Sequence, residues 1–388
     1  MTRTPSADVG LDELTEDPWP ALARLRATSP VCWVPALDGW LVTSRAAVVE
    51  VLEDPVTYTV DDPRFTTAAV VGPSMLSLDG PGHARHRRPF AAAFRPAALA
   101  AGPADDVRRL AADLVAAVRD DGTAELRTAL AGPLAAGTTA ALLGLDVDDA
   151  TLLQWYADIS ASVAALSAGE PATAAGGSAA ALLAQRVRDA CAIPGADGLL
   201  GRAARPPFAL DPDEVASNAA VLLFGGIETV EGMVANALLH VLAPPGATGL
   251  ATDPDRLDAA VEESLRLEPA AARVDRYTTR DAVLAGVRVP AGDLVVASLG
   301  AAGRDPAAYP DPDRFDPDRF TRDDAVPHLA FARGPHGCVA SGLARLQARA
   351  ALAAVLALPG ARLDPAASTA PRGLVFRKPD RVVARWSV

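Results

Sequence analysis

One stretch near the C-terminus constrains this chain more than any other. His328–Ala350 reads His-Leu-Ala-Phe-Ala-Arg-Gly-Pro-His-Gly-Cys-Val-Ala-Ser-Gly-Leu-Ala-Arg-Leu-Gln-Ala-Arg-Ala, and its only cysteine is Cys338. Ahead of the cysteine, Arg333 to Gly337 hold two glycines and a proline, the composition of a tight irregular turn whose N–H groups can point inward. After it, Leu343, Leu346, Ala350 and Leu352 recur at helical spacing, so the thiol is predicted where a loop becomes a helix. A thiol there, close to backbone N–H donors and an arginine, is expected to favour the thiolate, the form that binds metal.

By itself a lone cysteine reads as a small buried apolar residue. A nucleophile would need a histidine base, and His336, two residues away on an extended turn, diverges from it. Zinc is disfavoured, because Cys32 and Cys191 lie far off and no Cys-x-x-Cys or His-x-x-x-His pair occurs. A metal that needs one protein thiolate and brings its other ligands with it remains, as haem does.

Phe331-x-x-Gly334-x-His336-x-Cys338 resembles the haem-binding signature of the cytochrome P450 family, in which the cysteine thiolate is the axial iron ligand. Two positions depart from the family's usual glycines, Ala340 two residues after the cysteine and Ala332 right after the phenylalanine. Both are small-for-small changes that keep the ligand.

Further motifs follow the family's order. His83 and Arg87 fall at i and i+4 of a helix predicted after the turn Asp79–Gly82. Alone they read as a solvated basic face, whereas the resemblance implies haem-propionate ligands. Phe224-Gly225-Gly226-Ile227-Glu228-Thr229-Val230 places two glycines inside a long helical pattern, at roughly 1 kcal/mol each relative to alanine. Helix packing or local unwinding would each call for them. The resemblance is to the oxygen-activation motif, with Gly225 and Gly226 against the haem and Glu228 and Thr229 as the acid–alcohol pair that delivers protons to bound dioxygen; Val230 replaces the usual second threonine.

Glu263 and Arg266 at i and i+3 read by themselves as a surface ion pair. The family's Glu-x-x-Arg instead locks the core with a later arginine, here expected to be Arg314 of Pro312-Asp313-Arg314-Phe315. The resemblance also makes Arg276 and His336 propionate ligands and turns Arg273 toward the substrate, where it either anchors a carboxylate or phosphate or reaches solvent.

At 388 residues the chain exceeds a typical domain of about 100–200 residues. Hydrophobic residues make up 50%, ample for a large core. The expected architecture is mainly α with a small β region, a cytochrome P450 fold forming a single large domain over 1–388, with 1–16 as a flexible N-terminus. Ser217–Leu242 is the predicted central helix, and the haem is expected between it and the Cys338 loop. Residues 98–195 read as packed helices, and Ser44 as the cap of a helix ending near Leu52. Val56 to Leu78 loses periodicity and reads as a long loop, a candidate substrate lid.

A net charge of −12 argues against nucleic acid as a partner. Three cysteines form no disulfide framework, the N-terminus has neither a basic start nor an apolar run, and no apolar stretch reaches the ~20 residues of a membrane span. A cytoplasmic monomer away from membranes is therefore expected. Arginine dominates the basic residues, Lys378 being the sole lysine, as in a GC-rich bacterial genome.

The resemblance implies a haem-thiolate monooxygenase with haem b, which hydroxylates or otherwise oxidises a small, mostly hydrophobic molecule, in bacterial natural-product biosynthesis. Phe224, Ile227, Val70, Val71 and Leu374 are candidate substrate-pocket residues. No Gly-x-Gly-x-x-Gly fingerprint is present, so ferredoxin and ferredoxin reductase are the expected electron donors. Arg85, Arg88, Arg333, Arg345 and Arg349 are expected to form a basic patch for the acidic donor. Coupling, cyclisation or desaturation by the same haem is the alternative. A peroxide-using enzyme is disfavoured by Glu228-Thr229, and a non-catalytic haem sensor would have no need of that pair.

Overall fold

The helical pattern at the centre of the sequence becomes the axis of the fold. In the computed structural model, which describes residues 3–145, 147–167, 170–193, 198–243 and 249–388, this helix is Pro212–Leu242. It begins at Pro212 rather than Ser217 because Asp211 and Glu214 form a capping box and proline fits a first turn. Glu214 is also bound by both terminal nitrogens of Arg85, one at 2.7 Å, and lies 3.4 Å from His86 Nε2.

By length and composition this helix could cross a membrane, which corrects the expectation that no apolar stretch is long enough. Its most apolar window is 67% buried inside the fold, however. It is apolar nearly all round because Gly132–Leu143, Ala174–Ala192, Pro254–Leu267 and Ser341–Leu356 pack on it.

A five-stranded sheet stands to one side, in the order Val31–Val34, Gly39–Val42, Leu294–Ser298, Arg273–Thr278, Tyr58–Thr59. The second and third strands are parallel and the other neighbours antiparallel. Side chains alternate between its faces. Trp40, Val42, Val295, Ala297 and Val274 lie on one face, packed with Leu52, Leu329 and Ala332. Leu41 and Val296 lie on the other, under Leu14, Leu22 and Leu25 of the N-terminal helices.

Residues 3–16, expected to be flexible, are tied to the sheet and the core. Arg3 holds Asp293 at 2.8 and 3.1 Å, the Ala7 N–H bonds the Trp33 carbonyl at 2.9 Å, and Val9 and Leu14 are buried. Residues 1 and 2 lie outside the described set. The expected loop from Val56 to Leu78 contains the edge strand Tyr58–Thr59 and a short helix, Thr66–Val71. Its later part is tied down by the Met75 N–H on Asn218 Oδ1 at 2.9 Å. Ser44 does precede the helix Arg45–Glu53, but Asp305 Oδ2 rather than the serine hydroxyl takes the first N–H, at 2.8 Å.

The buried ion pair forms as expected, with both side chains fully buried and Arg266 nitrogens 2.7 and 2.8 Å from Glu263. Its third member is not Arg314, whose side chain is 66% exposed and turns to Asp316. Arg319 takes that place, with Nε 3.1 Å from both Glu263 oxygens. The motif Pro-Asp-Arg-Phe occurs twice in succession, at 312–315 and 317–320, and it is the arginine of the second copy that meets Glu263.

Candidate functional site

Cys338 is held by the backbone of its own loop. Its N–H bonds the Phe331 carbonyl at 2.8 Å, and the Gly337 N–H bonds Gly334 O at 3.1 Å. Gly334, at φ +68°, lies so close to the helix Arg45–Glu53 that an added Cβ would sit 2.4 Å from the Leu52 carbonyl. Ala332 is left-handed at φ +54°, which explains why glycine suits that position better. Ala340 sits at φ −97°, ψ 12°, where glycine has no advantage.

The thiol is accessible to solvent, yet protein surrounds it closely enough that desolvation pushes its pKa up. The Ala340 N–H and the charges of Arg87 and Arg345 oppose this without reversing it. These protein groups alone leave the balance on the raised side. A bound cation would make the difference.

Gly225 is open, with nothing within 4 Å of an added Cβ, whereas Gly226 is packed, its Cβ position lying 2.6 Å from Thr139 Oγ1. The helix continues unbroken through both, so one glycine serves helix packing, the other faces open space, and no unwinding occurs. Thr229 Oγ1 donates to the Gly225 carbonyl at 2.6 Å. Glu228 Oε1 is 3.1 Å from Lys378 Nζ. Ile227, expected to line the pocket, is 1% exposed within the main core. It is two residues from Gly225, about 200° round the helix.

A cluster of ionisable groups borders the cysteine loop. On the helix Gly80–Ala91, His83 is buried and its Nε2 has no hydrogen-bond partner. Desolvation, then the charges of His336 and Arg87, push its pKa down to about 4. Arg87 Nη2 donates to the Gly337 carbonyl at 2.5 Å, and the His83 and His336 rings are 4.4 Å apart. His336 Nε2 lies 2.7 Å from Asp79 Oδ1, so it is engaged rather than unpartnered. Burial would raise the Asp79 carboxyl, but hydrogen bonds from His336, Thr59 and the Val60 N–H hold it far below the usual range.

Arg276 is buried on the sheet face that meets Leu329 and Ala332 of the cysteine loop. Arg273, three residues earlier, points to the opposite face, with Trp19 and Leu374 around it. Strand periodicity thus sets Arg273 on the face away from Arg276, and Leu374 packs on that same side, so neither joins the other residues expected to face the substrate. Val70 and Val71 lie on the Thr66–Val71 helix, which packs on the central helix. Phe224 sits between two aromatic rings that sequence reasoning missed, Phe376 at 5.3 Å and Tyr156 at 6.3 Å. Only the spacing of the fold brings these three together, so no local signal marks them.

The expected basic patch is largely neutralised. Arg85 pairs with Glu214, Arg333 with Glu53, Arg345 with Glu262 and Arg349 with Asp258.

These residues fit a haem. The set offers one sulfur donor, an open glycine on the central helix, and an orphaned buried His83 nitrogen beside Arg87, with Arg276 buried on the same side.

Residues 256–358 match the family described as Cytochrome P450. Cytochrome P450 monooxygenase PikC of Streptomyces venezuelae is 33% identical over 91% of this chain and 86% of its own length. Erythromycin C-12 hydroxylase of Saccharopolyspora erythraea is 31% identical over 87% of this chain and 85% of its own. Among solved structures, CalO2 superposes with a TM-score of 0.86 at 32% identity, covering 96% of each chain.

Proposed function

The chain belongs to the cytochrome P450 family, an oxygen-incorporating oxidoreductase with a haem-iron cofactor, and from that premise we propose that it is a haem b monooxygenase of bacterial natural-product biosynthesis. The observation that carries the site assignment is the orphaned His83 Nε2 beside Arg87, whose guanidinium reaches the backbone of Gly337 next to Cys338. It supports a reading in which propionates take His83, Arg87, Arg276 and His336, while Cys338 holds the iron. Bound there, the haem would supply the oxygen-activating chemistry, with Cys338 as its thiolate donor.

The chain's own residues bind, orient and supply protons. Phe331 and Gly334 shape the loop that carries the sulfur. Gly225 keeps the central helix clear of the ring, and Gly226 seats that helix on Thr139. The Thr229 hydroxyl carries a proton at Oγ1 and Glu228 replenishes it, a division of labour that positioned acid–base pairs perform well. Glu263, Arg266 and Arg319 hold the frame beneath.

Phe224, Phe376 and Tyr156, with Val70 and Val71 above, favour a hydrophobic substrate. The relatives' names, an erythromycin C-12 hydroxylase among them, support natural-product oxidation. Electrons come from ferredoxin and its reductase, and the protein acts as a cytoplasmic monomer.

The test is the optical spectrum of the dithionite-reduced protein with and without carbon monoxide. A strongly red-shifted Soret band, lost in Cys338→His, is the expected result. An unshifted band in the parent protein overturns the thiolate assignment.

A further inference from the structure

The chain has one lysine, and it lies against the acid of the proton-delivering pair. Lys378 Nζ is 3.1 Å from Glu228 Oε1 and 2.7 Å from Glu231 Oε2, so one ammonium bridges two carboxylates one helical turn apart. Glu231 is held in turn by Arg127 Nη1 at 2.7 Å, and Arg127 Nε donates to the Asp380 carbonyl at 2.9 Å. The four formal charges cancel.

The hairpin that carries this lysine is fastened closely. Lys378–Pro379 pairs with Pro371–Arg372, and the Arg377 N–H bonds the Ala270 carbonyl at 2.8 Å. Five residues beyond Glu231, Asn236 Nδ2 donates to the Arg377 carbonyl at 3.1 Å. Gly232 permits the approach, because an added Cβ would stand 3.1 Å from Ala270 Cβ and 3.5 Å from Lys378 Cβ. Gly232 lies seven residues from Gly225, on the same face of the helix.

We propose that Lys378 is a positioning residue, an ammonium clamp that fixes the Glu228 carboxylate next to Thr229 by sharing it with Glu231. The proposal rests on the reading of Glu228 as the proton-delivering acid. Without the clamp, Arg127 still holds Glu231 while Glu228 loses the cation beside it and leaves its position. Electrons then end on dioxygen as hydrogen peroxide: NADPH, a proton and O2 give NADP⁺ and H2O2, with no oxygen entering substrate.

The contact and its consequence are tested separately on the haem-loaded protein. A double-mutant cycle of Lys378→Met and Glu228→Gln, read as urea midpoints, is expected to be non-additive; additivity overturns the clamp. In turnover, product per NADPH should fall about tenfold in Lys378→Met, a fraction of the ~10²–10⁴-fold that positioned acid–base groups supply. Peroxide should rise to match, the spectrum should be unchanged, and Lys378→Arg should restore coupling. Undiminished coupling in Lys378→Met, or failure of arginine to rescue it, overturns the proposal. Undiminished coupling in Glu228→Gln overturns both the clamp and the role of Glu228.

Discussion

Ala332 stores strain at the turn into the cysteine loop. A left-handed alanine costs roughly 1–2 kcal/mol, offset in Ala332→Gly by about 0.5–1 kcal/mol of added chain entropy. Urea unfolding should therefore show Ala332→Gly more stable by about 0.5–1 kcal/mol. His240 stores a different kind of cost. Desolvation, with the charges of Arg304 and Arg266, holds its pKa down to about 3, and its Nδ1 lies 2.9 Å from Ser264 Oγ. The unfolded chain takes up that proton near the ordinary histidine value and the folded chain only far lower, so acid favours unfolding throughout this window. Between pH 7 and 4.5 the parent protein should lose about 2 kcal/mol more than His240→Gln does, measured by urea unfolding at each pH. At this scale the sequence was legible where a motif fixes the spacing of two side chains, as at His83 and Arg87, which lie against the cysteine loop. It failed where only direction decides. Arg273 and Ile227 are sound choices by type, but strand and helix periodicity turn them away from the site.

The elements that carry the site were readable for a related reason. A 31-residue helix and a glycine-rich turn followed by a helix leave strong patterns. The Thr66–Val71 helix did not, because it is six residues long and its burial depends on helices far away in sequence. The arginine that completes the Glu263 pair was ambiguous because the motif is duplicated. The distinction has a measurable consequence. Arg319→Met leaves Glu263 short of a buried partner and should cost about 3–5 kcal/mol. Arg314→Met removes an exposed side chain and should stay within about 0.5 kcal/mol. Equal losses in a denaturation series would return Arg314 to the core.

Across the whole molecule, composition spoke to what the protein avoids and little to what it meets. A charge of −12 disfavours nucleic acid, but a count of arginines does not reveal that Arg333, Arg345 and Arg349 each have an acid beside them. Since Arg333, Arg345 and Arg349 are paired, the long-range attraction to an acidic electron donor should be weak. Reduction by ferredoxin in stopped flow should change less than about threefold from low to physiological salt. A steep decline would mean that these pairs open on docking.

Glu214 closes the cap of the central helix while gripping Arg85 and touching His86 on the helix that also carries His83 and Arg87. One carboxylate thus sets the mechanical tolerance between the two walls of the site. Whatever varies in the covering segments to suit a new substrate, the spacing of those walls is fixed from outside the pocket. A substitution in the covering segments of this chain therefore leaves that joint between the two helices untouched.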